Sequence, residues 1–154
     1  MQNPYLAIQN FLKQSHIEYE SIEHEPVYTS EQAAKIRGIS LKQGAKSLLL
    51  KAKNEFILAV LPGDKRLDSK KLKTLLGVKD LRFASPEEVK EIMGCEIGAC
   101  YPFGNLIGIK MVIDNSLAVN DIISFNPGVH HVSIKLKWSD YNFSVKPDLE
   151  DIVQ

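Results

Sequence analysis

Along the first half of the chain the apolar positions alternate between a helical and a strand-like period. Tyr5, Ile8, Phe11 and Leu12 recur at helical spacing behind Asn3-Pro4, a capping side chain ahead of a proline suited to a first turn, which predicts a helix from about Pro4 to Ser15. Ile17, Tyr19 and Ile22 predict a short strand that stops at His24-Glu25-Pro26, because proline disfavours helix at the residue before it. Thr29 with Gln32 three positions on forms a capping box for a short helix that Gly38 ends. Lys46 to Lys51 and Glu55 to Leu61 are too apolar for a fully exposed sheet and predict a hairpin turning at Lys53-Asn54.

In the second half, Asp68 caps a helix carrying Leu72, Leu75 and Leu76, Leu81 to Phe83 read as a strand, and Ser85-Pro86-Glu87-Glu88 starts a helix that ends at Gly94. Strands follow at Ile107 to Ile113, Asp121 to Phe125 and His130 to Leu136, separated by Asn, Asp, Pro or Gly. Strands in uneven groups with short helices, and no internal repeat, favour α+β, a mixed α/β composition, over a doubly wound α/β fold. Gly94 to Gly104 fits neither period. With Gly98 and Pro102 inside it, this segment is an ordered loop, either a connection packed by Ile97, Tyr101 and Phe103 or a run of backbone N–H groups converging on a ligand.

Composition narrows the partners. At 154 residues the chain fits one domain, 1–154, and nineteen basic residues balance nineteen acidic ones, so any polyanion must be held by a local patch, which argues against a general DNA or RNA binder. Met1 to Tyr5 lack a basic n-region with an apolar h-region, and no apolar run approaches the roughly 20 residues that span a bilayer, so the expected location is the cytoplasm without a membrane partner. Cys95 and Cys100 have neither redox nor zinc spacing and are expected to be free thiols. His16, His24, His130 and His131 complete no ligand set, and neither a metal nor a cofactor is expected.

Two side chains stand out against their strand patterns. Alternation puts Lys46 on the face of Leu48 and Leu50, where its ammonium either sits at the mouth of a pocket, ready for a phosphate or an oxyanion, or snorkels to water from the strand end. The same reasoning puts His130 on the face of Val132, Ile134 and Leu136, as a catalytic imidazole or as a core histidine bonded to a carbonyl. Lys65, Arg66, Lys70, Lys71 and Lys73 form one concentrated basic patch, a solvated helix face or a seat for the phosphates of an acceptor stem. P-loop, G-x-G-x-x-G, G-x-S-x-G and H-E-x-x-H signatures are absent, and a Cys95 or Cys100 nucleophile with His130 as base is a weaker alternative.

These residues resemble the YbaK and prolyl-tRNA-synthetase-associated editing-domain family, which includes aminoacyl-tRNA deacylases. The resemblance runs over nearly the whole chain, through His24-Glu25-Pro26 with Thr29 and Ala33-Ala34, Lys46 ahead of an apolar strand, Leu61-Pro62-Gly63-Asp64, Gly94 to Gly104, and Gly128-Val129-His130. It implies a mostly antiparallel mixed sheet curled into a barrel-like shape and flanked by helices. It also implies hydrolysis of the ester that joins a wrongly attached small amino acid, such as Ala, Ser or Cys, to the 3′ end of tRNA, with a synthetase as an optional partner. Lys46, Gly98 and His130 are then the expected catalytic positions. His24, Pro26, Thr29, Ser47, Ala99, Cys100, Tyr101, Pro102 and Gly128 are the expected substrate-binding ones, and the basic patch is the expected contact to the tRNA backbone. A binding module that keeps the pocket without hydrolysis is the alternative.

Overall fold

Local capping signals of the sequence turn into helix starts. Asn3 Oδ1 accepts from the N–H of Tyr5 at 3.0 Å and of Leu6 at 3.4 Å, and α1 (Pro4–Gln14) buries Ile8 and Leu12. The computed structural model describes residues 3–154, so Met1 and Gln2 of the N-terminal stretch lie outside the described residues. Thr29 and Gln32 form the capping box of α2 (Ser30–Arg37), with Gln32 N to Thr29 Oγ1 at 3.1 Å and Thr29 N to Gln32 Oε1 at 3.3 Å. Asp68 accepts from two amides at the start of α3 (Ser69–Leu76), and Ser85 with Glu88 boxes the start of α4 (Pro86–Met93). Arg82 grips Glu88 through two nitrogens at 2.7 and 3.0 Å, and with the Ser85 amide it holds that carboxyl down at about 2.

The hairpin pairs β2 (Ala45–Ala52) with β3 (Glu55–Pro62) from Ala45 opposite Pro62 to Ala52 opposite Glu55. With β4 (Arg82–Phe83), β5 (Lys110–Asp114) and β8 (Asp148–Glu150) it forms a mixed sheet in the order β4-β2-β3-β5-β8, where β5 runs parallel to both neighbours. A second, wholly antiparallel sheet has the order β1-β7-β6, from β1 (Tyr19–Glu23), β7 (Val132–Lys137) and β6 (Ile122–Phe125). The single curled sheet expected from the resemblance is therefore not observed. Neither sheet closes, and among the described residues one backbone bridge, between Gly44 and Ser124, links them. On the outer edge of β2, β4 pairs the far end through Leu50 with Phe83 and Lys51 with Arg82, whereas β6 is bridged at Gly44, the residue before the strand.

Two strand starts also shift. Ile107 and Ile109 both bond Gly104 O after a short 3-10 turn, so β5 begins at Lys110 rather than Ile107. β7 begins at Val132, and His130 belongs to the preceding turn. The tail adds α5 (Trp138–Val145) and β8, for which the sequence reading provided no element. Trp138, Tyr141 and Val145 do recur at helical spacing, but no side chain caps the helix, and Phe143, 79% exposed, falls out of phase.

The main core gathers around Phe103, whose ring meets Phe11, Phe125 and Tyr141 edge-on at 5.8, 5.3 and 5.5 Å. A smaller core of Leu50, Ala59, Leu72, Val112 and Ile152 lies on the other face of the mixed sheet. The C-terminal tail closes it. Buried Asp114 accepts from Ile152 N at 2.9 Å and also holds Ser116, while Asp68 N donates to Ile152 O at 2.8 Å, so the tail clamps α3 to the sheet. No helix among the described residues is long and apolar enough to cross a membrane. Truncating fully buried Ile152 to Ala is expected to destabilise the fold by about 2–5 kcal/mol, read from urea unfolding midpoints.

Candidate functional site

A cavity of about 190 Å³ opens between α2, the start of β2 and the Gly94 to Gly104 loop. That is well below the roughly 300–1,000 Å³ of a pocket for a drug-sized ligand, so the space suits a small group. From α2 come Ala33, Ala34 and Arg37; from β2 Lys46, Ser47 and Leu48; from the loop Ile97, Gly98 and Cys100; Tyr28, Thr29 and Asn126 complete the wall. Lys46, Thr29, Ser47, Gly98 and Cys100, all expected from the sequence, are thus brought together.

Lys46 is half-buried and makes no ion pair among the described residues. Burial pushes its pKa below the ordinary lysine value, with Arg66 acting in the same direction and Glu31 and Asp64 opposing. The face that carries the lysine lines the cavity at the start of β2 and passes into the small core through Leu48 and Leu50. Ser47 Oγ is buried without a hydrogen-bond partner, which among the described residues it shares only with Ser124 Oγ.

Gly98 stands at φ +93°, and a Cβ there would lie 3.3 Å from His130 Cε1. The glycine thus satisfies both the turn and the close approach of the imidazole behind it. His130 itself does not line the cavity. Its Nδ1–H donates to Val27 O at 3.0 Å, its Nε2 faces Glu96 Oε1 at 3.4 Å, and its ring lies against Tyr28 at 4.6 Å. It is buried as its alternation with Val132 predicts, but it acts from the far side of the loop wall, because the turn before β7 carries it behind Gly98. Neither thiol is hydrogen-bonded to an imidazole. Cys95 Sγ lies 3.8 Å from Cys100 Sγ; the Cys95 thiol donates to its neighbour and is pushed up, while the Cys100 thiol, which accepts, is drawn down from its ordinary value. The Cys–His dyad considered from sequence is not formed.

The remaining loop residues face the core. Ala99 O accepts from Gly128 N at 3.0 Å, Tyr101 OH donates to Met93 O at 2.8 Å, and Pro102 O accepts from Tyr141 OH at 2.6 Å. Ala99, Tyr101 and Pro102 are therefore support rather than wall. Gly128, at φ +89°, allows Pro4 of α1 to approach, since a Cβ there would meet Pro4 Cβ at 2.8 Å. Pro26 is exposed and away from the cavity, and Ile97, expected to pack the loop, is 54% exposed at the rim. In the basic patch, Lys71 is occupied by both Asp151 oxygens at 3.0 Å and Val153 O at 2.8 Å, so it ties down the tail; Lys65, Arg66, Lys70 and Lys73 have no ion pair among the described residues.

Sequence reasoning missed Arg37. It closes α2 as an apparently ordinary basic residue of a last turn, yet it is 6% exposed and lines the cavity. Its Nε donates to Ser133 Oγ at 2.8 Å and its Nη2 to Asn126 Oδ1 at 3.0 Å. Ser133 Oγ in turn donates to His24 Nε2 at 2.7 Å, and His24 Nδ1–H donates to Glu25 O at 2.7 Å. His24 is therefore two bonds behind the cavity wall. Nothing in the local pattern marks Arg37, because its partners come from the far end of the chain. Tyr141 was missed for the same reason. Replacing it by Phe leaves the buried Pro102 carbonyl without its donor, with an expected loss of about 1–3 kcal/mol in urea unfolding at unchanged m-value.

Comparison with known proteins places this geometry in context. The family model for the aminoacyl-tRNA editing domain matches residues 24–143. The chain is 37% identical over 143 residues, 90% of this chain and 86% of the relative, to the multifunctional Ser/Thr-tRNA deacylase ProXp-y of Escherichia coli K12. It is 28% identical over 137 residues to the proline–tRNA ligase of Thermosipho melanesiensis, covering 87% of this chain but 24% of that enzyme. A solved structure described as a candidate trans-editing enzyme for prolyl tRNA synthetase superposes with a TM-score of 0.87 at 23% identity, over 100% of this chain and 99% of that one, which shows a shared fold.

Proposed function

Because the chain belongs to the aminoacyl-tRNA editing domain family, we propose that it is a trans-editing deacylase that hydrolyses the ester of mischarged tRNA. It would act in the cytoplasm as a single domain over 1–154. Its substrates are small aminoacyl esters, Ala, Ser or Cys by the sequence reading and Ser or Thr by analogy with the Escherichia coli relative. The observation that carries the reading is the small cavity in which a half-buried, unpaired Lys46 faces the Gly98 wall.

Water attacks the acyl carbon, the bond from that carbon to the ribose oxygen breaks, and the proton passes to the ribose oxygen, releasing amino acid and tRNA. Lys46 anchors the acceptor end and its charge favours the developing oxyanion, and the loop backbone at Gly98 positions the ester. The substrate's neighbouring ribose hydroxyl relays the proton, since no imidazole or carboxylate lines the cavity. His130 is a positioning residue that braces Gly98. Lys65, Arg66, Lys70 and Lys73 steer the tRNA backbone, Arg66 being close enough to influence Lys46. A synthetase such as the prolyl enzyme is the proposed protein partner. The missing general base is the one observation that favours the alternative, a module that holds aminoacyl ends without cleaving them.

Deacylation of alanyl-, seryl-, threonyl- and cysteinyl-tRNA decides between the two, since an uncleaved but tightly bound ester supports the binding module. Lys46→Ala is expected to lower kcat/KM by about 100-fold or more, and wild-type activity in that variant would sink the role. Because burial lowers the Lys46 pKa, the ammonium is lost earlier than an ordinary lysine as pH rises. The rate, corrected for spontaneous hydrolysis, should fall on the alkaline side before an unperturbed lysine would titrate, and Lys46→Arg should abolish that limb.

A further inference from the structure

Ester hydrolysis as described leaves one cavity group unused. Arg37 is 6% exposed, and no carboxylate among the described residues pairs with it. Two of its three nitrogens are fixed, Nε on Ser133 and Nη2 on Asn126, so the plane of the guanidinium is set. Nη1 has no hydrogen-bond partner among the described residues and is not one of the fully buried unpaired atoms, so it stays open to the cavity, 3.4 Å from where a Cβ on Gly44, another wall residue, would stand. Burial lowers the arginine pKa only to about 10, so the group stays a cation at neutral pH.

We propose that Arg37 is the specificity determinant of this cavity, its Nη1 donating a hydrogen bond to the side-chain hydroxyl of a seryl or threonyl ester. The proposal rests on the deacylase reading above. Arginine offers donors only, so what meets Nη1 must bring a lone pair, and the substrate's α-ammonium is repelled toward the mouth. The cavity is too small to admit a phosphodiester behind the acyl group. An alanyl methyl group would leave Nη1 unsatisfied, whereas a hydroxyl oxygen completes its shell. Discrimination built this way exceeds what a pocket gains from one methyl or hydroxyl by shape alone, about 10–200-fold.

The test compares seryl-, threonyl-, alanyl- and aspartyl-tRNA in single-turnover deacylation by wild type, Arg37→Met, Arg37→Lys and Gly44→Ala. Wild type should prefer seryl over alanyl ester, and Arg37→Met should shrink that ratio about 10-fold or more, with alanyl-tRNA changed least. Gly44→Ala, which sets a methyl group against Nη1 at ordinary contact distance, should shrink it too, and serves if Arg37→Met does not fold. Equal losses on all esters would make Arg37 a structural or carbonyl-binding group and overturn the proposal. So would a wild-type preference for aspartyl-tRNA. A parallel titration with non-cleavable 3′-seryl- and 3′-alanyl-amide adenosines separates the two readings. If wild type cleaves no ester, the deacylase reading fails, and the proposal stands or falls on whether the seryl analogue binds more tightly and loses that advantage in Arg37→Met.

Discussion

From Ala99 to Gly104 the loop after α4 runs through the core rather than over the surface, and the rest of the site depends on how its buried backbone is satisfied. A buried carbonyl without a donor costs about 1–3 kcal/mol, so donors from elsewhere in the chain meet two loop carbonyls, while the loop's own tyrosine meets the carbonyl at the end of α4. Tyr101 bonds back to the last residue of α4, Tyr141 of α5 bonds Pro102, and the Gly128 amide bonds Ala99. Once these are fixed, the loop has one register against the core. Tyr101 and Phe103 fall inward, and Gly98 and Cys100 emerge at the cavity.

The two cations of the cavity differ in kind. Lys46 reaches it from the end of a strand, half-buried, with its charge modulated by Glu31, Arg66 and Asp64, and a flexible stem lets it follow a substrate. Arg37 is held by a chain of bonds through Ser133 and His24 to the Glu25 carbonyl, so its plane is fixed before any ligand arrives. A movable charge suits an acceptor end that must enter and leave. A fixed fork suits recognition of one small group in a set position.

The two sheets divide the remaining work. The antiparallel one carries Ser133 on its central strand, covered on both faces, and so supplies the anchor for Arg37. The mixed one carries Lys46 and, through the tail that follows β8, fixes the start of α3 and the turn at Arg66. Asp114 is the pivot of that arrangement, because a buried carboxylate must be bonded and it finds Ile152 N and Ser116.

What the sequence by itself determined is what short-range chemistry controls. Thr29 with Gln32, Ser85 with Glu88, Asn3 and Asp68 set helix starts, because a capping side chain meets amides two or three residues away. The β2–β3 hairpin followed from two apolar runs and a two-residue turn, and the order of weak motifs was enough to suggest the family and to put Lys46 and Gly98 in one site. Tertiary structure alone decided which face of the loop works, where His130 stands and that Arg37 belongs to the cavity. Arg37 finds its partners 89 and 96 positions away and His24 finds Ser133 109 positions away, so no window of sequence contains both halves of these bonds. The same holds for the sheet order, since β4 and β6 come from later in the chain and reach opposite ends of β2 only once it has folded.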